Sequence, residues 1–409
     1  MASRGPSPRE RAEKLEDAYL GPHATRSTDP RAIRREHPYK PDDFRTEFER
    51  DYTRIIHSKP FRRLRHKTQV FISPQNDHLC TRLEHSLHVM SVARTIARAL
   101  QLNTDLVSAI AVGHDLGHAP FGHEGERCLS KLAQADGLRG FSHEAQSLRV
   151  VDELVSPYLR TLGHRGLNLT FGVRDGIVSH CGEAFEQELA PDLEKDASQL
   201  NAAGSTGARP ATLEGCVVRW ADRVAYIGRD LEDAYTVGTL SPEDLPEGVT
   251  NVLGTSNRDI IHNLVQDILE NSNVSDADRE PFIAVGSGVH AAFNELAAFS
   301  RERIYNCKEV KAYFGHVRNA MQSLYAEVKE LIDGARPRDD GAIFSERLSM
   351  PPHDRPNSCL GVLRGFLCGE LLDWRAESTP RLALDFVAGM TDTFFLSAFE
   401  ELFLPRSVV

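Results

Sequence analysis

The chain has 409 residues, of which 41% are hydrophobic and 26% charged, and its formal net charge is −11 at pH 7. Those proportions are of a globular protein with enough length for two or three units and a large core. The net charge argues against bulk nucleic-acid binding by the protein as a whole, and no apolar run reaches the ~18 residues of a membrane-spanning helix.

Residues 1 to 40 are rich in Pro, Arg and Glu with little apolar periodicity, which predicts a flexible N-terminal arm. The first segment, MASRGPSPRERAEKLEDAYLG, is polar and lacks the apolar centre of a secretory signal, so a cytoplasmic location is expected. From residue 41 the pattern turns helical. RIIHSKPFRRLRHK (Arg54–Lys67) is basic throughout, either a solvated face or a strip that receives a small polyanion or an acidic neighbouring subunit.

TRLEHSLHVMSVARTIARAL (81–100) predicts an amphipathic helix with Leu83, Leu87, Met90, Ile96 and Leu100 near one face and His85 opposite them. Asn103 or Thr104 can cap the next helix, which runs through Leu106, Val107, Ile110 and Ala111 and should fail between Gly113 and Pro120. There GHDLGHAPFGHEGE (Gly113–Glu126) concentrates histidines and acids among poor helix formers. Another helix is expected near Ser142, through Leu148, Val151 and Leu154. The Ala/Gly/Ser/Asp-rich stretch 190–212 predicts a mobile loop, after which 213–235 resumes the helical pattern. The remainder is helical, with Pro/Gly punctuation near 242–247, 334–338 and 351–356. The expected class is all-α: an arm (1–40), a helical core (41–240) and a C-terminal helical lobe (241–409). The cysteines Cys80, Cys128, Cys181, Cys216, Cys307, Cys359 and Cys368 form no CxxC, which favours reduced, packed thiols.

Adjacent His114 and Asp115 at a failing helix end can converge on one cation, and neutral imidazole with carboxylate suits Mn²⁺ or a transition metal. His85 and Asp222 are candidates for the two remaining positions, giving the pattern H…HD…D. His118 and His123 are separated by turn residues that keep them off a single helix face, so both can border one cavity. Phosphate hydrolysis needs an activated water, positive charge beside the phosphoryl oxygens, and a proton for the leaving alkoxide. Asp222, Tyr226 and Asp230 fall at i, i+4 and i+8, one helix face leading about 12 Å outward from the metal.

TRLEHSLHV, GHDLGHAPFGHEGE, SHEAQSLR and ADRVAYIGRD resemble, in order, motifs of the HD-domain metal-dependent phosphohydrolases. More narrowly, the sequence resembles the deoxynucleoside triphosphate triphosphohydrolases, or dGTPase-like proteins, over roughly residues 45–240. The resemblance implies one divalent metal on His85, His114, Asp115 and Asp222, with Mn²⁺ or Mg²⁺ foremost and Fe, Ni, Co and Zn as further candidates. It implies a His123–Glu126 pair, with His123 delivering the proton, and phosphate-facing His118, His143 and Arg82. Gln69 and Asp230 would bind the 3′-hydroxyl, Tyr226 would pack on the sugar, and Val70 would crowd the 2′ position. The products implied are deoxynucleoside and tripolyphosphate. Homo-oligomers, often hexamers, and in some members a nucleotide activator also follow from the resemblance. His88 reads as a solvent histidine, and Glu124 has no assigned role. Two rivals stand beside this reading: an HD phosphohydrolase for a monophosphate, cyclic or hyperphosphorylated nucleotide, and a non-catalytic nucleotide- or nucleic-acid-binding scaffold.

Overall fold

A computed structural model describes residues 5–404 apart from positions 38, 41, 43 and 307 and residues 71–77, 156–164, 182–185, 201–207, 337–356 and 368–375. Its first helix, α1 (Pro8–Tyr19), opens with a capping box: the Ser7 hydroxyl accepts from Glu10 N at 3.2 Å and the Glu10 carboxylate accepts from Ser7 N at 2.7 Å. The flexible arm expected for 1–40 is thereby corrected over its described part, because the charges there are paired with the core. Arg35, almost fully buried, bridges Glu47 at 2.7 Å and Asp51 at 2.6 Å and donates to Asn168 O at 2.5 Å. Buried Glu214 accepts from Thr25 N (2.9 Å), Thr25 Oγ1 (2.7 Å) and Asn103 N (3.0 Å).

Next come α2 (Glu47–Ile56), α3 (Lys59–Arg63), α4 (Arg82–Ala99) and α5 (Thr104–Gly113). The apolar stripe expected on α4 is only partly its buried face: Ile96 is buried and Leu83, Met90 and Leu100 pack against the core, but Leu87 is 41% exposed, and the interior also takes Arg82, His85, Ser86, Val89, Val92 and Ala93. The helix packs on both α5 and the later helix Leu213–Thr236, so its inner face must be slim, and two site residues occupy it. His85 therefore points inward. Asn103 is the cap of α5, accepting from Asp105 N and Leu106 N at 3.0 and 3.1 Å.

The helix ends at Gly113 and resumes as α6 (Gly122–Ala135), followed by α7 (His143–Arg149), capped by Ser142 and extended by a π-helical turn at Val150–Leu154. After α8 (Phe171–Val178), Glu188–Leu189 pairs antiparallel with Ile283–Ala284, the only named strands among the described residues. The described part of 190–212, expected to be mobile, is tied down. Asp192 N donates to Pro210 O at 2.8 Å, and buried Lys195 pairs with Asp175 at 2.6 Å. The centre of that stretch, 201–207, lies outside the described residues. It leads into α9 (Leu213–Thr236), which is buried along most of its length.

Packing passes residue 240 without a break. α10 (Glu247–Leu253), α11 (Asn257–Asn271) and α12 (Ser287–Ser300) join the first core through Val249, Leu264, Phe293 and Leu296. A second core is built by α13 (Lys308–Ala335), α14 (Cys359–Leu367), α15 (Thr379–Ala388) and α16 (Asp392–Phe403), together with Leu129 and Ala133 of α6. Punctuation at 351–356, and Cys307 and Cys368, lie outside the described residues. The other cysteines carry no disulfide. No helix among the described residues is long and apolar enough to cross a membrane.

The Glu214→Ala variant leaves two buried backbone N–H groups and a hydroxyl without their acceptor, at a cost of about 1–3 kcal/mol for each buried group left unsatisfied. The expected result is a lower thermal midpoint with earlier proteolysis near residue 25, read by scanning calorimetry and limited digestion.

Candidate active site

The break between α5 and α6 has a steric cause. A Cβ on Gly117 would stand 2.1 Å from Ser147 N and 2.4 Å from Gln146 C, so only glycine lets this loop lie on the backbone of α7. Phe121 and Gly122 both adopt left-handed backbone, φ 63° and 61°. Strain at Phe121 is held by its N–H donating to Asp392 at 2.9 Å and by its ring meeting Phe395 edge-on at 5.0 Å.

This loop brings its side chains against α4, α8 and α9. His114 Nδ1 donates to Ala111 O at 2.7 Å, which leaves the buried Nε2 lone pair without a hydrogen-bond partner. Around it lie Asp115 Oδ1 at 3.6 Å and Asp222 Oδ1 at 3.7 Å. His85 Nε2 reaches Asp222 Oδ1 at 2.9 Å. Burial alone would raise both carboxyls. The neighbouring His114, Arg82 and His118 outweigh it at Asp115, as His85 and His114 do at Asp222, and both stay below the usual carboxylate range. His85, His114 and Asp115 place ligand atoms within 4.8 Å of one another, and so do His114, His180 and Asp222. Buried imidazoles and ionised carboxylates, one with a bare Nε2, fit a divalent transition metal or Mn²⁺.

Beside that group lies a second one. Glu126 is shared: it takes His123 Nδ1 at 3.2 Å, His143 Nδ1 at 3.0 Å and the His143 backbone N at 2.8 Å. The sequence pairs Glu126 with His123 alone, so its grip on His143 is an addition. Burial disfavours charge on His143, yet Glu126 and Glu144 hold its pKa well above the ordinary imidazole value. His118, by contrast, is driven well below it by burial, Arg82 and His143. The His118 and His143 rings stack at 4.2 Å, while His123 is 68% exposed. Arg82 donates to Asp115 at 2.7 Å and keeps Nε and one NH2 unpaired.

On α9, Asp222, Tyr226 and Asp230 do share a face. Asp230 is buried, and burial pushes its carboxyl up to about 7 while Tyr305 donates to it at 2.5 Å. Gln69 is half-buried with an unpartnered Oε1, and its backbone O and the Arg82 guanidinium lie against Gly122. Val70 packs against the first core. The basic strip 54–67 is not one surface: Arg54 donates to Leu167 O and Asn168 O, both at 2.7 Å. Lys67 is buried, donates to His118 O and Ala388 O, and burial lowers its amine to about 7. Lys59, Arg62 and Arg65 remain exposed. His88 is half-buried and lines a cavity of about 470 Å³ with Arg229, and Glu124 pairs with Arg127.

Sequence reasoning missed His180, Cys181, Tyr305, Lys67 and Asp392. His180 sits just past the end of α8 in IVSHC, a lone histidine with no patterned neighbour, and Tyr305 lies 75 positions from its partner. Spacing offers no signal for either.

A family model described as the HD domain matches residues 82–227, spanning α4 to most of α9. Beyond this class, the chain is 38% identical over 97% of its length, and 96% of the relative's, to a deoxyguanosinetriphosphate triphosphohydrolase-like protein of Caldanaerobacter subterraneus. It is 36% identical to one from Desulfatibacillum aliphaticivorans and 35% to one from Clostridium perfringens, each over 98% of this chain and 99% of the relative. The chain belongs to the family of deoxyguanosinetriphosphate triphosphohydrolase-like proteins.

Gly117→Ala forces the loop off α7 and is expected to cost about 1–3 kcal/mol of stability. Metal affinity should fall with it, because His114 and Asp115 ride on that loop. Chemical denaturation and metal titration of the variant check both.

Proposed function

We propose that the protein is a metal-dependent hydrolase of deoxynucleoside triphosphates, releasing deoxynucleoside and tripolyphosphate. One observation supports this reading above the rest. Gln69, Arg82, His114, His118 and Asp230 each carry a buried polar atom with no hydrogen-bond partner. Buried polar groups are ordinarily paired; Arg82, His114 and His118 all approach Asp115, and Arg82 and Gln69 both lie against Gly122. A metal ion would take the His114 Nε2 lone pair, and a nucleotide with a phosphate chain and a sugar hydroxyl offers partners for Arg82, His118 and Asp230. The printed names of the relatives point to the same substrate class.

His85, His114, Asp115 and Asp222 would hold the metal, which supplies Lewis-acid stabilisation of charge on the α-phosphate oxygens. Arg82 and His118 face those oxygens with unpaired donors. Water adds to the α-phosphorus and sheds a proton to solvent, the bond to the 5′ oxygen breaks, and that oxygen takes a proton from His123, held by Glu126 and exposed, which is reprotonated from solvent. His143, kept cationic by Glu126, stabilises the phosphate charge. Asp230 and Gln69 accept and donate at the 3′-hydroxyl, Tyr226 packs on the sugar, and Val70 occupies the space that a 2′-hydroxyl needs.

With Mn²⁺ or Mg²⁺, the four dNTPs should yield deoxynucleoside and tripolyphosphate by chromatography, matched NTPs much less, and chelator or His114→Ala nothing. Release of pyrophosphate or orthophosphate without deoxynucleoside overturns the reading. Glu126→Gln uncouples both His123 and His143, and its kcat should drop by roughly 10²-fold or more with metal content unchanged.

A further inference from the structure

Three side chains that the proposed reaction does not use together meet just behind His143. His143 Nε2 lies 3.3 Å from His180 Nε2 and 3.4 Å from Cys181 Sγ. Both rings are fixed at their far nitrogens: His180 Nδ1 donates to Ile177 O at 2.6 Å, and His143 Nδ1 is held by Glu126 at 3.0 Å. The two Nε2 atoms therefore face each other, a contact that needs a proton or a cation between them. The spacing suits a cation as well as a shared proton. Zn–N bonds of ~2.0–2.1 Å and a Zn–S bond of ~2.3 Å give tetrahedral edges of about 3.3 Å between nitrogens and about 3.6 Å between nitrogen and sulfur. All three ligand atoms fall within 4.8 Å of one another. His180 and His143 are buried and Cys181 is half-buried.

The geometry points to a second cation position on His143, His180 and Cys181, selective for a thiophilic divalent ion such as Zn²⁺, whose occupancy inhibits the enzyme. The Cys181 thiol and the His143 ring, at Nε2, each lose a proton to solvent as the metal binds, and nothing is oxidised. Hard Mg²⁺ has little affinity for such a donor set, so the position discriminates between the activating ion and a soft competitor. Inhibition rests on the proposed role of His143, whose ring gives up its proton when Nε2 binds metal and no longer serves the phosphate as a cation. Cys181 lies outside that machinery, so its removal should spare basal turnover.

Co²⁺ provides a readout independent of activity. Added to protein already loaded with Mn²⁺, it should produce a near-ultraviolet thiolate-to-cobalt charge-transfer band in the wild type and none in Cys181→Ser. In the dNTP assay, Zn²⁺ should inhibit the wild type at a concentration at least about tenfold lower than Cys181→Ser, a difference of about 1.4 kcal/mol. No band in the wild type, an equal band in Cys181→Ser, or equal Zn²⁺ sensitivity of the two overturns the proposal. A wild-type band in a protein that hydrolyses no dNTP leaves the cation position standing and sinks the hydrolase reading and the inhibition together.

Discussion

Two carboxylates near His114 where α4, α5 and α9 meet, Asp115 buried and Asp222 half-buried, set the terms for everything around them. Asp115 and Asp222 are held in their ionised forms away from solvent, and an uncompensated buried charge costs several kcal/mol. The protein answers with Arg82 against one and His85 against the other, both from α4 and both on its inner face. That demand explains why α4 buries an arginine and a histidine while leaving Leu87 outside. It also bears on His114 Nε2, whose unpartnered lone pair lies within 3.7 Å of both carboxylates, where a cation would complete the charge balance.

Around this centre the scaffold is a set of rigid elements, with the chemistry placed at their ends. His114 and Asp115 follow the last turn of α5, His143 begins α7, His180 follows α8 and His85 lies in the first turn of α4, whereas Asp222 sits mid-helix. Helix ends leave backbone carbonyls such as Ala111 O and Ile177 O free to fix a ring tautomer, which a residue in the helix middle lacks.

Much of this was legible in the sequence because the chemistry-bearing residues are local. Within Gly113–Glu126 a single break in helical pattern announces the loop, and Asn103 and Ser142 announce the helices on either side. What was not legible depends on partners far along the chain. Arginine and glutamate near the N-terminus look like a solvated arm until Arg35 finds Glu47 and Asp51. The α4 stripe misled because periodicity weighs Leu and Met above Val and Ala, whereas a helix gripped from two sides needs the smaller residues inward. Tyr305 and His180 have meaning only through Asp230 and His143.

Asp392, at the start of the last described helix, accepts from Phe121 N, Thr68 N and the Thr68 hydroxyl, so one carboxylate ties the strained end of the loop to the segment that carries Gln69. Lys67 adds a second tie, from Ala388 O to His118 O. These bonds join residues more than 250 positions apart in the chain. The lineage therefore cannot trade its C-terminal helices with a distant cousin as one shuffles modules. Recombination past Thr236 would keep His85, His114, Asp115 and Asp222 but lose the clasp that ties their loop to the C-terminal helices.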